Sequence, residues 1–291
     1  MIPLIFSVLS STAIYVVFKL FGRFNITTLN ALIINYFTAF GLGLILQGDY
    51  SLTSLLTTPQ KEWFIGSILL GAMFILVFSF MVITTQRAGM SVVSVASKMS
   101  VAIPVLFVII YYNEVLGVLK IIGIVMALIS VYLVSVRKRD GLSLDLKYFV
   151  FPLLVFFGSG LVESSIKFLE NTYVPDDEIS LFSASTFLFA GLTGVLVFAL
   201  KKLSGNNKFK KKDLIGGLVL GIPNYFSIYF FIQALRIEGL SSSSIFILNN
   251  VSIVLCSTVV GILIFKEQVI LKNWIGIGIA LVSILLLTYI D

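Results

Sequence analysis

A handful of charges and amides set inside long apolar runs are the residues of this 291-residue chain best suited to chemistry. Lys98 shares a polar stripe with Ser91 and Ser94, at spacings of three and four residues that put all three on one helix face. An ammonium there suits an anionic group, a carboxylate or a phosphate, or the counter-charge of a coupling ion. The bland alternative is a lysine satisfied by serine hydroxyls and by a carbonyl freed near Pro104. Asn249 and Asn250 stand at a similar depth in the second half of the chain, with Ser252 and Cys256 further along. Ser7, Ser11, Tyr15 and Lys19 recur every four residues, and Ser159, Glu163 and Lys167 repeat that pattern. Asn224 and Tyr225 follow Pro223, where a loosened helical ladder leaves polar groups beside a kink. The candidate substrate-binding set is therefore Lys98, Ser94, Tyr15, Asn224, Tyr225, Asn249 and Asn250.

Lys19, Glu163 and Lys167 form a candidate coupling or charge-pair set. Glu163 is the one carboxylate placed well inside an apolar run, so it is the group to titrate if transport is proton-coupled. Equally, Glu163 can neutralise Lys167, and lysines near helix ends can snorkel to water.

The elements that position these residues follow from composition. The chain is 58% hydrophobic and 12% charged, with a mean hydropathy of +1.08; soluble domains run about 25% charged. Such a chain belongs in a bilayer. Its apolar runs are continuous, where the strands of a β-barrel would alternate, so the predicted class is an all-α integral membrane protein. Ten spans are predicted: 3–22, 29–47, 63–85, 90–112, 115–136, 148–170, 178–200, 213–235, 241–265 and 269–290. Turn residues such as Gly89, Asn113-Glu114 and Pro175-Asp176 separate them. Met1-Ile2-Pro3 lacks a basic leader segment, so the first run is read as an uncleaved span.

The chain also repeats itself. Gly66, Gly71, Phe80, Gly89 and Ser91 meet the same residue types 150 positions later, at Gly216, Gly221, Phe230, Gly239 and Ser241. After a three-residue insertion, Glu114, Gly123, Ala127 and Ser130 match Glu267, Gly276, Ala280 and Ser283; earlier, an offset of 148 sets Ser11 and Lys19 against Ser159 and Lys167. Two units are read, 1–140 and 148–291. Five spans per unit make the second copy start on the opposite side of the membrane, the inverted-repeat plan of many secondary transporters, with a site at the repeat interface. The recurring glycines are expected to allow close helix packing.

Charge gives a sidedness. Fifteen of the twenty Lys and Arg residues, the Lys208–Lys212 run included, flank the loops after odd-numbered spans, and most acids lie on the other side. By the positive-inside rule both termini face away from the cytoplasm. The net charge of +6 thus concerns membrane sidedness, with anionic lipid as a further reading of the basic run; nucleic acid is not implied. There is no histidine and one cysteine, Cys256, read as a packing residue, which excludes disulfides, imidazole chemistry and Cys/His metal sites. No Gly-x-x-x-x-Gly-Lys-Ser/Thr motif occurs, so no nucleotide or other cofactor is implied. A membrane enzyme is poorly supported, because Asp176-Asp177-Glu178 lacks a second carboxylate cluster.

The two five-span copies, a lysine near the end of the first span of each, and Arg87-Ala88-Gly89-Met90-Ser91 with Asn113-Glu114 carry a family resemblance. So do Ile237-Glu238-Gly239-Leu240-Ser241 and Lys266-Glu267. Over essentially its whole length the chain resembles the drug/metabolite transporter superfamily, and within it the ten-span EamA-type members. The family's Trp-Gly pair in the first span is absent; Ser10-Ser11-Thr12 stands there. The resemblance implies a permease in the plasma (inner) membrane that moves a small molecule, an amino acid or another carboxylated or phosphorylated compound, with or without a coupling ion. It also implies cytoplasmic termini, the reverse of the charge count. A lipid or lipid-linked headgroup flippase of the same fold is the alternative, and a monomer or a homodimer suits either.

Overall fold

The computed structural model describes residues 1–47, 58–103, 118–135, 146–175, 178–203, 209–235 and 242–288. Ten α-helices occur among the described residues: α1 (Ile2–Arg23), α2 (Thr28–Gln47), α3 (Phe64–Arg87), α4 (Met90–Met99), α5 (Val118–Ser135), α6 (Leu146–Tyr173), α7 (Ile179–Leu203), α8 (Lys211–Leu235), α9 (Ser242–Leu263) and α10 (Leu271–Thr288). A short 3₁₀ turn covers Thr58–Gln60. Six helices among the described residues are long and apolar enough to cross a membrane, and α5, α9 and α10 carry shorter apolar stretches. Leu, Ile and Val side chains such as Ile45, Ile65, Leu263 and Leu271 stand exposed on their outer faces. In lipid this exposure carries no penalty, because acyl chains are as apolar as leucine. The protein is an integral multi-pass membrane protein.

The predicted spans and the helices agree closely, with one difference. The span expected over 90–112 is helical to Met99, turns at Ser100 and Val101 and is helical again at Ala102 and Ile103; residues 104–112 lie outside the described set. The Ile103 amide takes the Ser100 carbonyl at 2.9 Å. In an unbroken helix the amide of residue 104 would take it, but Pro104 has no N–H to give.

The helices sort into two compact units, each drawing on both halves of the sequence. The first unit comprises Met1–Lys19, Phe80–Glu163 and Phe226–Asp291. Here α5 packs along α10, α4 lies against α9, and both α9 and α5 touch their chain neighbours α10 and α4. Ser283 of α10 donates to the Gly123 carbonyl of α5 at 2.7 Å, while Gly276 of α10 meets Leu133 and Val134 of α5 so closely that an added Cβ would lie 2.8 Å from Leu133 Cβ.

The second unit comprises Leu20–Ser79 and Ser164–Tyr225, and α2 packs on α7 within it. Its close approaches are reciprocal. Gly71 of α3 faces backbone of α7, where an added Cβ would lie 2.6 Å from Ala190 N; Gly221 of α8 faces α2, with Thr38 Cβ at 2.5 Å. The helix starts are reciprocal too. Asp213 of α8 accepts from Asn30 Nδ2 and from the Thr27 amide, each at 2.8 Å. Glu178, just ahead of α7, accepts from Trp63 Nε1 at 2.7 Å and pairs with Lys61. Lys61, then Trp63, hold the Glu178 carboxyl below the ordinary glutamate range by donating to its charged form. Trp63, Leu70, Val174, Leu181 and Phe182 form the apolar core beneath this pair.

Candidate functional site

The first unit gathers Tyr15, Ser94, Lys98 and Glu163 with Lys19, Asn249 and Asn250; Asn224 and Tyr225 belong to the second. The site is built on α4. From Met90 to Ser97, and again at Met99, every residue of this helix is buried, so it is wrapped on all sides. Lys98 alone keeps partial exposure. It sits in the last turn, where the carbonyl ends of the helix favour a cation, one residue before the interruption at Ser100.

Around it stand hydroxyls. Tyr15, 3% exposed, lies 2.8 Å from Ser97, with either oxygen able to donate. Ser94 donates to the Ser91 carbonyl at 3.1 Å and Ser100 to the Ser97 carbonyl at 2.5 Å. Glu163 of α6 and Lys98 feel one another's charge. Among the described residues, Lys98 makes no hydrogen bond and no contact ion pair; the Glu163 carboxylate is its one electrostatic partner. The sequence alone set Glu163 beside Lys167, a helical turn away; the Lys167 side chain lies outside the described set.

The other candidates divide. Ser7 Oγ lies 3.0 Å from the Ser227 carbonyl and 3.1 Å from Asn249 Oδ1, so its single proton serves one acceptor at a time and ties α1 to α8 and α9. Asn250 is buried beside Asn249 on α9, the helix that packs against α4. In the second unit Asn224 Nδ2 donates to Asn35 Oδ1 at 3.2 Å, and the Tyr225 ring lies near Gly43. These two amides hold α8 to α2.

Lys19 pairs with a residue that the site reading did not include. Its Nζ lies 2.8 Å from Glu267 Oε1 and donates to the Thr85 carbonyl at 3.4 Å. Glu267 accepts the Met90 amide through both oxygens, at 2.9 and 3.0 Å. It thereby caps α4, whose own N-cap, Gly89, has no side chain to do so. Gly89 has φ +108, and both its Cα and that of Gly261 approach the Glu267 carboxylate too closely for a Cβ. One carboxylate thus ties the end of α1, the start of α4 and the end of α9. Its sequence signal was the repeat itself, which paired Glu267 with Glu114, a residue outside the described set.

A separate cleft of about 530 Å³ opens in the second unit around Lys61, Trp63, Tyr173 and Glu178, away from all of these candidates in the chain.

Comparison with known proteins adds an independent signal. Residues 150–289 match the EamA-like transporter family. The matched stretch is the second half of the chain, which is similar to that family. An uncharacterized protein of Haemophilus influenzae (strain ATCC 51907 / DSM 11121 / KW20 / Rd) is 29% identical over 99% of this chain and 98% of its own length. A crystal structure of another protein shares the fold, with a TM-score of 0.54 over 97% of this chain and 96% of that one, at 16% identity. The family matched is one of membrane transporters, and the ten helices among the described residues, with their exposed apolar faces, accord with a membrane protein.

Proposed function

We propose that the protein is a secondary transporter that moves a small, charged metabolite across the plasma membrane by alternating access, with Lys98 holding an anionic group of the substrate. The observation that carries this reading is the partial exposure of Lys98 on a helix buried all round. A lysine in a span with no contact ion pair among the described residues needs an anion or water for its charge. The interruption of α4 beside it fits the broken helices that carry transporter sites. The contacts α5 with α10, α4 with α9 and α2 with α7 each pair a helix with its counterpart five helices later, which supports a duplication. On this reading the termini face away from the cytoplasm, following the basic loops.

The test is flux into proteoliposomes. Wild type and Lys98→Ala are compared on a labelled panel of amino acids, organic acids and sugar phosphates, with and without a pH gradient. Saturable uptake reduced at least about tenfold in Lys98→Ala is the expected outcome, matching loss of a charged contact of roughly 1.4 kcal/mol or more. Undiminished flux of every panel member through the variant would remove Lys98 from the site.

A further inference from the structure

The start of α8, in the second unit, carries cations that no described residue neutralises. Of the Lys208–Lys212 run, Phe209 to Lys212 are described, and Phe209, Lys210 and Lys211 are exposed. Two neighbouring residues of α8 grip the turn between α1 and α2. Lys212 Nζ donates to the Phe24 carbonyl at 2.8 Å, and Asp213 accepts the Thr27 amide at 2.8 Å. The turn itself is closed by the Ile26 amide on the Phe21 carbonyl at 2.9 Å. Arg23 and Phe24, both exposed, are thereby held at the same end of the unit as the exposed lysines.

Other lysines near helix ends are paired: Lys19 with Glu267 and Lys61 with Glu178. Arg23, Lys210 and Lys211 make no ion pair among the described residues. The acid nearest to the two lysines in the chain, Asp213, is fully buried, and its oxygens also take Asn30 Nδ2 and the Lys210 amide, at 2.8 and 3.1 Å. Like charges gathered without a counterion repel one another, so an anion from outside the chain stabilises the cluster.

Behind the cations runs an apolar face of matching depth. Lys211, Leu214, Ile215, Leu218, Val219 and Ile222 are all exposed at helical spacing, while Asp213, Gly217 and Gly221 lie on the buried side. From Lys211 to Ile222 the helix rises about 16 Å, close to the ~15 Å of hydrocarbon in one leaflet. Phe209, two residues before Lys211, sets its ring edge-on to Phe198 of α7, with centroids 6.2 Å apart. A soluble anion would use the cations and leave the stripe. An uncharged lipid would use the stripe and leave the cations. An anionic phospholipid uses both.

We infer that this face binds an anionic phospholipid, its phosphate among Arg23, Lys210 and Lys211 and an acyl chain along the α8 stripe. The lipid screens the cluster and pins the joint between the α1–α2 turn and α8 to one leaflet. The assignment is independent of what the protein carries.

The test uses the full-length protein, delipidated in nonionic detergent, with native mass spectrometry counting the molecules bound. The probes are dioleoyl phosphatidylglycerol, dioleoyl phosphatidylcholine, the acyl-free headgroup glycerophosphoglycerol, and inorganic phosphate. Wild type is expected to bind phosphatidylglycerol about tenfold or more tighter than phosphatidylcholine. Each cation contributes about fivefold, so Arg23→Gln/Lys210→Gln/Lys211→Gln is expected to lower phosphatidylglycerol affinity about a hundredfold and to leave phosphatidylcholine unchanged. Lys210→Arg/Lys211→Arg keeps the wild-type affinity, because the charge stays. Lys272→Gln, which removes an exposed cation from the start of α10, is expected to change it less than about twofold. Lys212 is left in place for its bond to Phe24. Should the triple variant not fold, Lys211→Gln alone takes its place, with an expected loss of about fivefold. Equal affinity of wild type for the two lipids, or a loss in the cluster variant no greater than in Lys272→Gln, would overturn the lipid site. Glycerophosphoglycerol or inorganic phosphate bound as tightly as phosphatidylglycerol would assign the cluster to a soluble anion and overturn it too.

Discussion

Glu267 joins three elements through its two oxygens. Replacing it with alanine leaves the Met90 amide without an acceptor and Lys19 without a counterion in a setting where Glu267 is only 11% exposed. We expect Glu267→Ala to destabilise the protein by about 2–3 kcal/mol, read as a lower unfolding temperature in detergent. The double variant Lys19→Ala/Glu267→Ala should lose less than the sum of the two single ones, because they share one interaction. The sequence exposed the chemistry of single residues better than their pairing. Depth in an apolar run was enough to single out Lys98 and Glu163, since charge inside a span is costly whatever surrounds it. That Lys98 and Glu163 feel one another's charge, or that Glu267 caps a helix 177 residues earlier, depends on tertiary packing that no local spacing encodes.

At the scale of elements, legibility was high for a physical reason. In a bilayer a continuous apolar run of about 20 residues has one stable reading, a helix, because strands would leave backbone groups unsatisfied. Less legible was the stop in α4 after Met99: Pro104 signalled a disturbance, but whether the helix bends or breaks is decided by what else takes the Ser100 carbonyl. The glycines carry the contacts that the repeat suggested. Gly71→Ala should destabilise by about 1–3 kcal/mol, since its new methyl group meets α7 backbone that has nowhere to move. Gly278 offers a control on α10, with nothing within 4 Å of an added Cβ; Gly278→Ala should be neutral or stabilising by up to about 1 kcal/mol. Thermal unfolding of both variants in one detergent separates helix propensity from helix contact.

For the whole molecule, the charge distribution predicts an orientation that labelling can check. A single cysteine placed in the Lys208–Lys212 run of a Cys256→Ala background should resist a membrane-impermeant maleimide in intact cells and react after permeabilisation. Labelling in intact cells would reverse the orientation and bring it into line with the family resemblance. The reciprocal packing has another consequence, for how the chain is made. Gly71 of the first half closes on α7 of the second, Gly221 of the second closes on α2 of the first, and Ser283 bonds back to Gly123. A ribosome that has delivered only residues 1–140 has therefore produced one side of each of these joints and the other side of none. The early helices can meet one another, as α4 meets α5, but these joints between the halves wait in lipid and close when α7 to α10 arrive. A truncated chain would then be recognised by the cell's quality control as an orphan subunit is, by faces left without a partner.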